Sequence, residues 1–165
     1  MSLSSFAHWL ERREWAMDFA ASPHAYPIVL ATHLSCIALF GGLILMTNFR
    51  LLGWALTDYA VPELVQKLRV WKTAGFVIMA GCGLLLAGSE AGKYYTNSYF
   101  WVKMSLLALV GLHALVFRRS VYRSVAASGD SAVTFPQAKV AAILSLLLWT
   151  GVLCAGRLIG YHVLD

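Results

Sequence analysis

Apolar residues crowd into four long stretches, 28–46, 73–89, 99–117 and 140–159, separated by short polar breaks. Each is close to the ~20 residues needed to cross about 30 Å of hydrocarbon at 1.5 Å per residue. Backbone inside a bilayer has no water to bond, so each stretch is predicted to be a helix. The breaks carry turn and helix-stop residues. Pro27 opens the first stretch, Asp58 and Pro62 sit in the first loop, and Ser128-Gly129-Asp130 with Pro136 marks the third. The expected fold is all-α, an integral membrane four-helix up-down bundle over residues 27–165.

Residues 1–26 follow a different pattern. Glu11, Arg12, Arg13, Glu14 and Asp18 interrupt any apolar core, so the segment does not read as a signal peptide. At 100° per residue Phe6, Trp9, Leu10, Met17 and Ala20 share one arc, interrupted by Arg13, while Glu11, Glu14 and Asp18 share another. That predicts an N-terminal amphipathic helix lying in the membrane interface, with Trp9 and Trp15 at headgroup level. The rival reading docks this helix on a partner subunit. A second amphipathic segment, 62–70, is expected within the first loop. Small residues four apart, such as Gly83/Ala87 and Gly151/Ala155, let helices approach closely and carry no chemistry of their own.

Composition agrees with a membrane protein. Of 165 residues 59% are hydrophobic and 13% charged, with a mean hydropathy of +0.68, whereas a soluble domain carries roughly 25% charged residues. Three cysteines cannot build a disulfide framework. Arg50, Lys67, Arg69, Lys72, Arg118, Arg119, Arg123 and Lys139 give the first and third loops eight positive charges. Arg12, Arg13, Lys93, Lys103 and Arg157 leave five for the other side. That bias places the first and third loops in the cytoplasm and both termini outside. The net charge of +5 fits contact with anionic lipid and requires no nucleic acid.

An ionisable group inside a bilayer is costly and therefore a functional candidate. His33 lies in the first stretch and His113 in the third, while His24 and His162 mark the outer ends of the first and last. Counting rise from Pro27, His33 lies about 9 Å below the outer boundary, whereas His113 lies about 7–8 Å above the inner one. A single metal bridging both is not expected. Lys103 falls level with His33, and Arg157 and His162 approach the same side. This outer cluster suits haem b: a neutral imidazole ligates iron, and Lys103, Arg157 or Lys93 would meet the propionates. The competing reading has His33 and His113 only bridging helices, at about 1–2 kcal/mol per bond in model peptides.

The other soft donors carry less. Cys36, Cys82 and Cys154 fall near one level, but no CxxC or HxxxH spacing points to copper. Met46 and Met79 approach the computed level of His113 and offer a His/Met alternative, although methionine mostly fills core. Glu90 beside Lys93 reads as a boundary residue. No phosphate loop, dinucleotide fingerprint, GxSxG or HExxH occurs.

His33-Leu34, Gly41-Gly42 and Asn48-Phe49-Arg50-Leu51-Leu52-Gly53 resemble the first span of a bacterial family of small four-helix membrane proteins of unknown function. Trp71-Lys72-Thr73-Ala74-Gly75-Phe76, Tyr99-Phe100-Trp101-Val102-Lys103 and Gly156-Arg157-Leu158-Ile159 continue the likeness over about 27–161. The pattern is more distantly similar to the membrane part of copper-resistance protein D and to HemJ-type protoporphyrinogen oxidases, which share a first-helix histidine and a lysine opening the third helix. The resemblance implies a bacterial inner membrane location, His33 as ligand candidate and Lys103 as its functional neighbour. Leu30 replaces an acidic residue of that pattern, Asn48-Phe49-Arg50 replaces Asp-Leu-Arg, and His113 replaces a common asparagine. The expectation is a b-type haem protein passing electrons, with a quinone or a partner cytochrome as exchange partner. The alternatives are a cofactor-free structural or assembly subunit, and copper or small-solute transport.

Overall fold

The computed structural model describes residues 3–128 and 136–161, with side chains placed for 3–116 and 136–161. Its helices in chain order are α1 (Leu3–Glu11), α2 (Glu14–Ala21), α3 (Ala25–Leu52), α4 (Val61–Ser89), α5 (Ala91–Thr96), α6 (Ser98–Ser128) and α7 (Pro136–Tyr161). Among the described residues there is no strand. Four of these helices, α3, α4, α6 and α7, are long and apolar enough to cross a membrane. The protein is thus an all-helical membrane bundle with four candidate spans.

The helices outrun the apolar stretches, at 28, 29, 31 and 26 residues. The amphipathic segment expected in the first loop is instead the opening of α4, which starts with Pro62 in its first turn and continues without a break. Proline there removes only an N–H that has no helical partner. α3 stops at Gly53, whose left-handed φ of 78° suits a residue without Cβ. Trp54 N then donates back to the Phe49 carbonyl at 2.9 Å. Asn97 caps α6 by accepting from Tyr99 N at 2.9 Å.

The N-terminal segment is two helices rather than one. The chain breaks at Arg12 and Arg13, where Arg13 is extended (φ −72°, ψ 140°) and begins α2. Both helices lie on the chain's own bundle. Leu10 and Trp15 pack on Gly88 of α4, and His8 and Glu11 close on Gly92 of α5.

Around the bundle α4 packs on α3, α3 on α7 and α7 on α6, while α4 and α6 barely touch. The end carrying α1, α2 and α5 is called proximal here, and the Gly53 end distal. At the distal end Leu51, Leu52, Val61, Ala138 and Ala142 form a buried cluster, with Phe49, Val65 and Leu146 against it. Every buried residue of α3 lies at Gly41 or beyond. The proximal half of α3 is therefore loosely covered.

α3 and α7 approach closely at Gly41, where a Cβ would stand 2.8 Å from Trp149 Nε1. Next to it, Gly42 has open space where its Cβ would be. Gly41→Ala is therefore expected to lower the unfolding midpoint in detergent, at a cost of about 1–3 kcal/mol from overpacking. Gly42→Ala should be neutral or stabilising by about 0.5–1 kcal/mol, because it only restricts the unfolded chain. Equal midpoints for the two variants would remove the α3–α7 contact from the account.

Candidate functional site

His33 faces α4 from the proximal half of α3, and its Nδ1 donates to the Met79 carbonyl at 2.8 Å. A carbonyl only accepts, so in the neutral ring the proton is on Nδ1 and the bare lone pair on Nε2. The helical donor to that carbonyl lies four residues on, at Gly83. A Cβ at Gly83 would come 3.0 Å from His33 Cε1, so the glycine clears the imidazole's approach. No buried side-chain nitrogen or oxygen lacks a hydrogen-bond partner among the described residues. Nε2, which has no such partner, is therefore not sealed in the interior.

Lys103 enters from α6. Its Cε and Nζ lie 3.8 Å from where a Cβ would stand on Gly156 of α7, the distance of ordinary contact. The ammonium falls within electrostatic reach of His33. Four helices thus bring an imidazole, an ammonium and two glycines to one level. The pairing of His33 with Lys103 follows the level expected from helical rise.

The other expected site residues go elsewhere. Arg157 follows Gly156 but turns along α7, donating from Nη2 to Tyr161 Oη at 3.0 Å with its guanidinium 4.6 Å above that ring. The local partner four residues on competes for it. His24 precedes α3 as an exposed residue without a side-chain cap bond. His113 lies ten residues beyond Lys103 on the same helix, about 15 Å of rise away. His162 lies outside the described residues. Met79 stands level with His33 rather than with His113, and contributes its carbonyl instead of its sulfur. Cys36 and Cys82 are half-buried and Cys154 is exposed, all as free thiols. Among the described residues no three His, Cys, Asp or Glu side chains gather into a metal-holding group.

Two polar clusters escaped sequence reasoning. Toward the distal end Lys72 Nζ donates to buried Thr47 Oγ1 at 2.5 Å, and Asn48 Nδ2 to Ser145 Oγ at 3.1 Å. Lys72 had counted as a loop charge, yet it turns inward between α3 and α4. The motifs Asn48-Phe49-Arg50 and Trp71-Lys72-Thr73 held the signal, since both converge there. At the proximal end Glu90 accepts from Tyr26 Oη at 3.2 Å and from Lys93 Nζ at 3.0 Å. Tyr26 precedes His33 by seven residues, which puts both on one face of α3 two turns apart.

Tyr94 completes the proximal cluster. Burial first, then the nearby Tyr26 and Glu90, push its hydroxyl well above the ordinary phenol range. The folded value therefore exceeds the unfolded one, near ~10, so the stabilisation is whole below pH ~10 and fades as pH climbs toward the folded value. Tyr94→Phe should consequently lose less stability than the parent on the alkaline side. A thermal-unfolding series from about pH 8 to about pH 11 checks this, and parallel curves would refute it.

No curated protein and no solved structure matches the chain. The distant likeness to copper-resistance protein D and HemJ-type oxidases gains no support from known proteins. A family model, described as a family of unknown function (DUF6644), matches residues 25–162. That range begins with α3 and runs past the end of α7, leaving α1 and α2 outside it. With four spans and the His33–Lys103 level inside the matched range, the chain belongs to this family of unknown function, DUF6644.

Proposed function

We propose that the protein is a membrane-embedded b-type haem protein of a bacterial inner membrane, exchanging electrons with a quinone or a partner cytochrome. The observation that carries this reading is the set orientation of His33, with Nδ1 committed to the Met79 carbonyl and Nε2 bare. A carbonyl bond of this kind fixes the tautomer and the orientation of the ring. The surroundings fit a flat apolar macrocycle. α3 buries nothing before Gly41, and along the bundle α4 and α6 touch little. Lys103 supplies a cation for a propionate.

When bound, haem would supply one-electron exchange. The chain's own part is to hold iron through His33, to neutralise carboxylate charge through Lys103 and to exclude water with the apolar faces of α3, α4 and α7. The charge bias of the loops supports cytoplasmic first and third loops and external termini.

A cofactor-free structural or assembly subunit is the second reading. It draws on α6, whose spanning window has no buried residue and so leaves a face for a partner. One measurement separates the two. The detergent-purified protein should show a Soret band and a reduced-minus-oxidised α-band change. A protein purified from haem-sufficient cells without either would end the haem reading.

A further inference from the structure

The face of α1 turned away from the bundle carries a cluster that neither the spans nor the His33 level uses. Ser5, His8, Trp9, Arg12 and Arg13 line an open cavity of about 540 Å³. The Arg13 guanidinium lies 3.9 Å above the Trp9 ring, and Trp9 stacks on Phe6 with centroids 5.7 Å apart. The opposite face is committed to docking: Ala7 is buried, Leu10 meets Gly88, and the Glu11 carboxylate turns to Gly92. The cavity lining therefore holds two guanidiniums and a hydroxyl, with His8 at its edge, where the imidazole also meets Gly92 and its Nδ1 lies 3.8 Å from the Glu11 carboxylate.

Position decides what such a cluster meets. α1 rests on α5, which directly follows the end of the α4 span, so α1 lies at the level where hydrocarbon gives way to headgroups. On α1 and α2 Leu3, Phe6, Trp9, Trp15 and Met17 are all exposed, Trp9 in the cavity lining and Phe6 stacked on it. Guanidiniums recognise phosphate by paired N–H donors. Aromatic rings with a polar rim settle at the interface. A soluble anion would find the cations but leave the apolar border in water.

We propose that this cavity seats the phosphate of an anionic phospholipid, with Arg12 and Arg13 as its donors and the Phe6–Trp9 stack against the upper acyl chains. Bound there, the lipid pins α1 and α2 over the proximal end of the bundle. A basic residue at a membrane surface contributes roughly a factor of five in binding, so the pair contributes about 25-fold.

Amide hydrogen exchange of the full chain in nanodiscs reads this directly, because the signal is confined to peptides from 3–21. Three conditions are compared: phosphatidylcholine alone, phosphatidylcholine containing phosphatidylglycerol of the same acyl chains, and phosphatidylcholine with inorganic phosphate added. Exchange in α1 and α2 should slow about 10- to 25-fold with phosphatidylglycerol only. The Arg12→Gln/Arg13→Gln pair should lose that slowing while matching the parent in phosphatidylcholine. Arg12→Lys/Arg13→Lys, which keeps charge without the paired donors, should retain part of it. Equal exchange in both lipids, or slowing kept by the glutamine pair, overturns the proposal. So does inorganic phosphate reproducing the effect, which would make the site one for a free anion.

Discussion

His33→Ala is expected to purify without the haem spectrum of the parent, because the imidazole is the bond to iron in the proposed site. The loss should be near complete rather than graded. Nε2 is the free nitrogen of a ring already held by the Met79 carbonyl, and alanine removes the imidazole from that face of α3. Lys103→Ala should act differently. Lys103 sits beside Gly156 and within electrostatic reach of His33. Its removal takes away a charge and not a ligand, so haem should stay bound with about 10–100-fold weaker retention or a shifted potential. His113→Ala should leave the spectrum unchanged, being about 15 Å of helical rise from Lys103. Pigment lost with His113→Ala but kept with His33→Ala would move the site toward the distal end. Gly83→Ala tests the same geometry more gently, since its Cβ would press His33 Cε1 at 3.0 Å. Haem retention should fall without vanishing.

The spans were legible because hydrocarbon leaves the backbone no alternative to helix, so length and apolarity suffice to find them. The level shared by His33 and Lys103 was legible for a similar reason. Rise per residue converts sequence position into depth once a boundary such as Pro27 is identified. What rise cannot supply is rotation. Whether Arg157 turns toward Lys103 or along its own helix depends on a local competitor, and Tyr161 four residues on wins. The Met79 carbonyl was equally hidden, because the register of α4 against α3 is set by how their side chains interlock and not by rise along either helix.

Lys72 shows a further limit of reading charge from sequence. Counting positive residues treats a boundary lysine as facing water or headgroups, yet Lys72 bonds Thr47 inside the α3–α4 seam. The N-terminal helices fall between the two expectations for them. Their exposed aromatic face suits an interface, while their other face docks on this chain's own α4 and α5. Amphipathicity identified both faces and could not say that the partner was internal.

Arg50→Ala is expected to be among the most destabilising single changes in the distal half. The residue is 2% exposed, and its Nε donates to the Tyr59 carbonyl at 2.6 Å. That bond ties the loop after Gly53 back to the last turns of α3, next to the buried cluster of Leu51, Leu52 and Val61. Hydrogen bonds to a charged donor contribute about 1.5–3 kcal/mol, and truncation also strands the carbonyl. A loss of about 2–4 kcal/mol is therefore expected, with the Arg stem's packing lost as well. Arg50→Lys should recover only part, because an ammonium cannot reproduce the Nε–H direction together with the remaining donors. Arg157→Ala is the matching control. It removes an exposed guanidinium bonded to a tyrosine on its own helix, and should stay within about 0.5 kcal/mol of the parent. Unfolding of the three variants in a mixed-detergent titration orders them. If Arg50→Ala unfolds no earlier than Arg157→Ala, the loop is not held by Arg50, and the distal end depends on its apolar cluster alone.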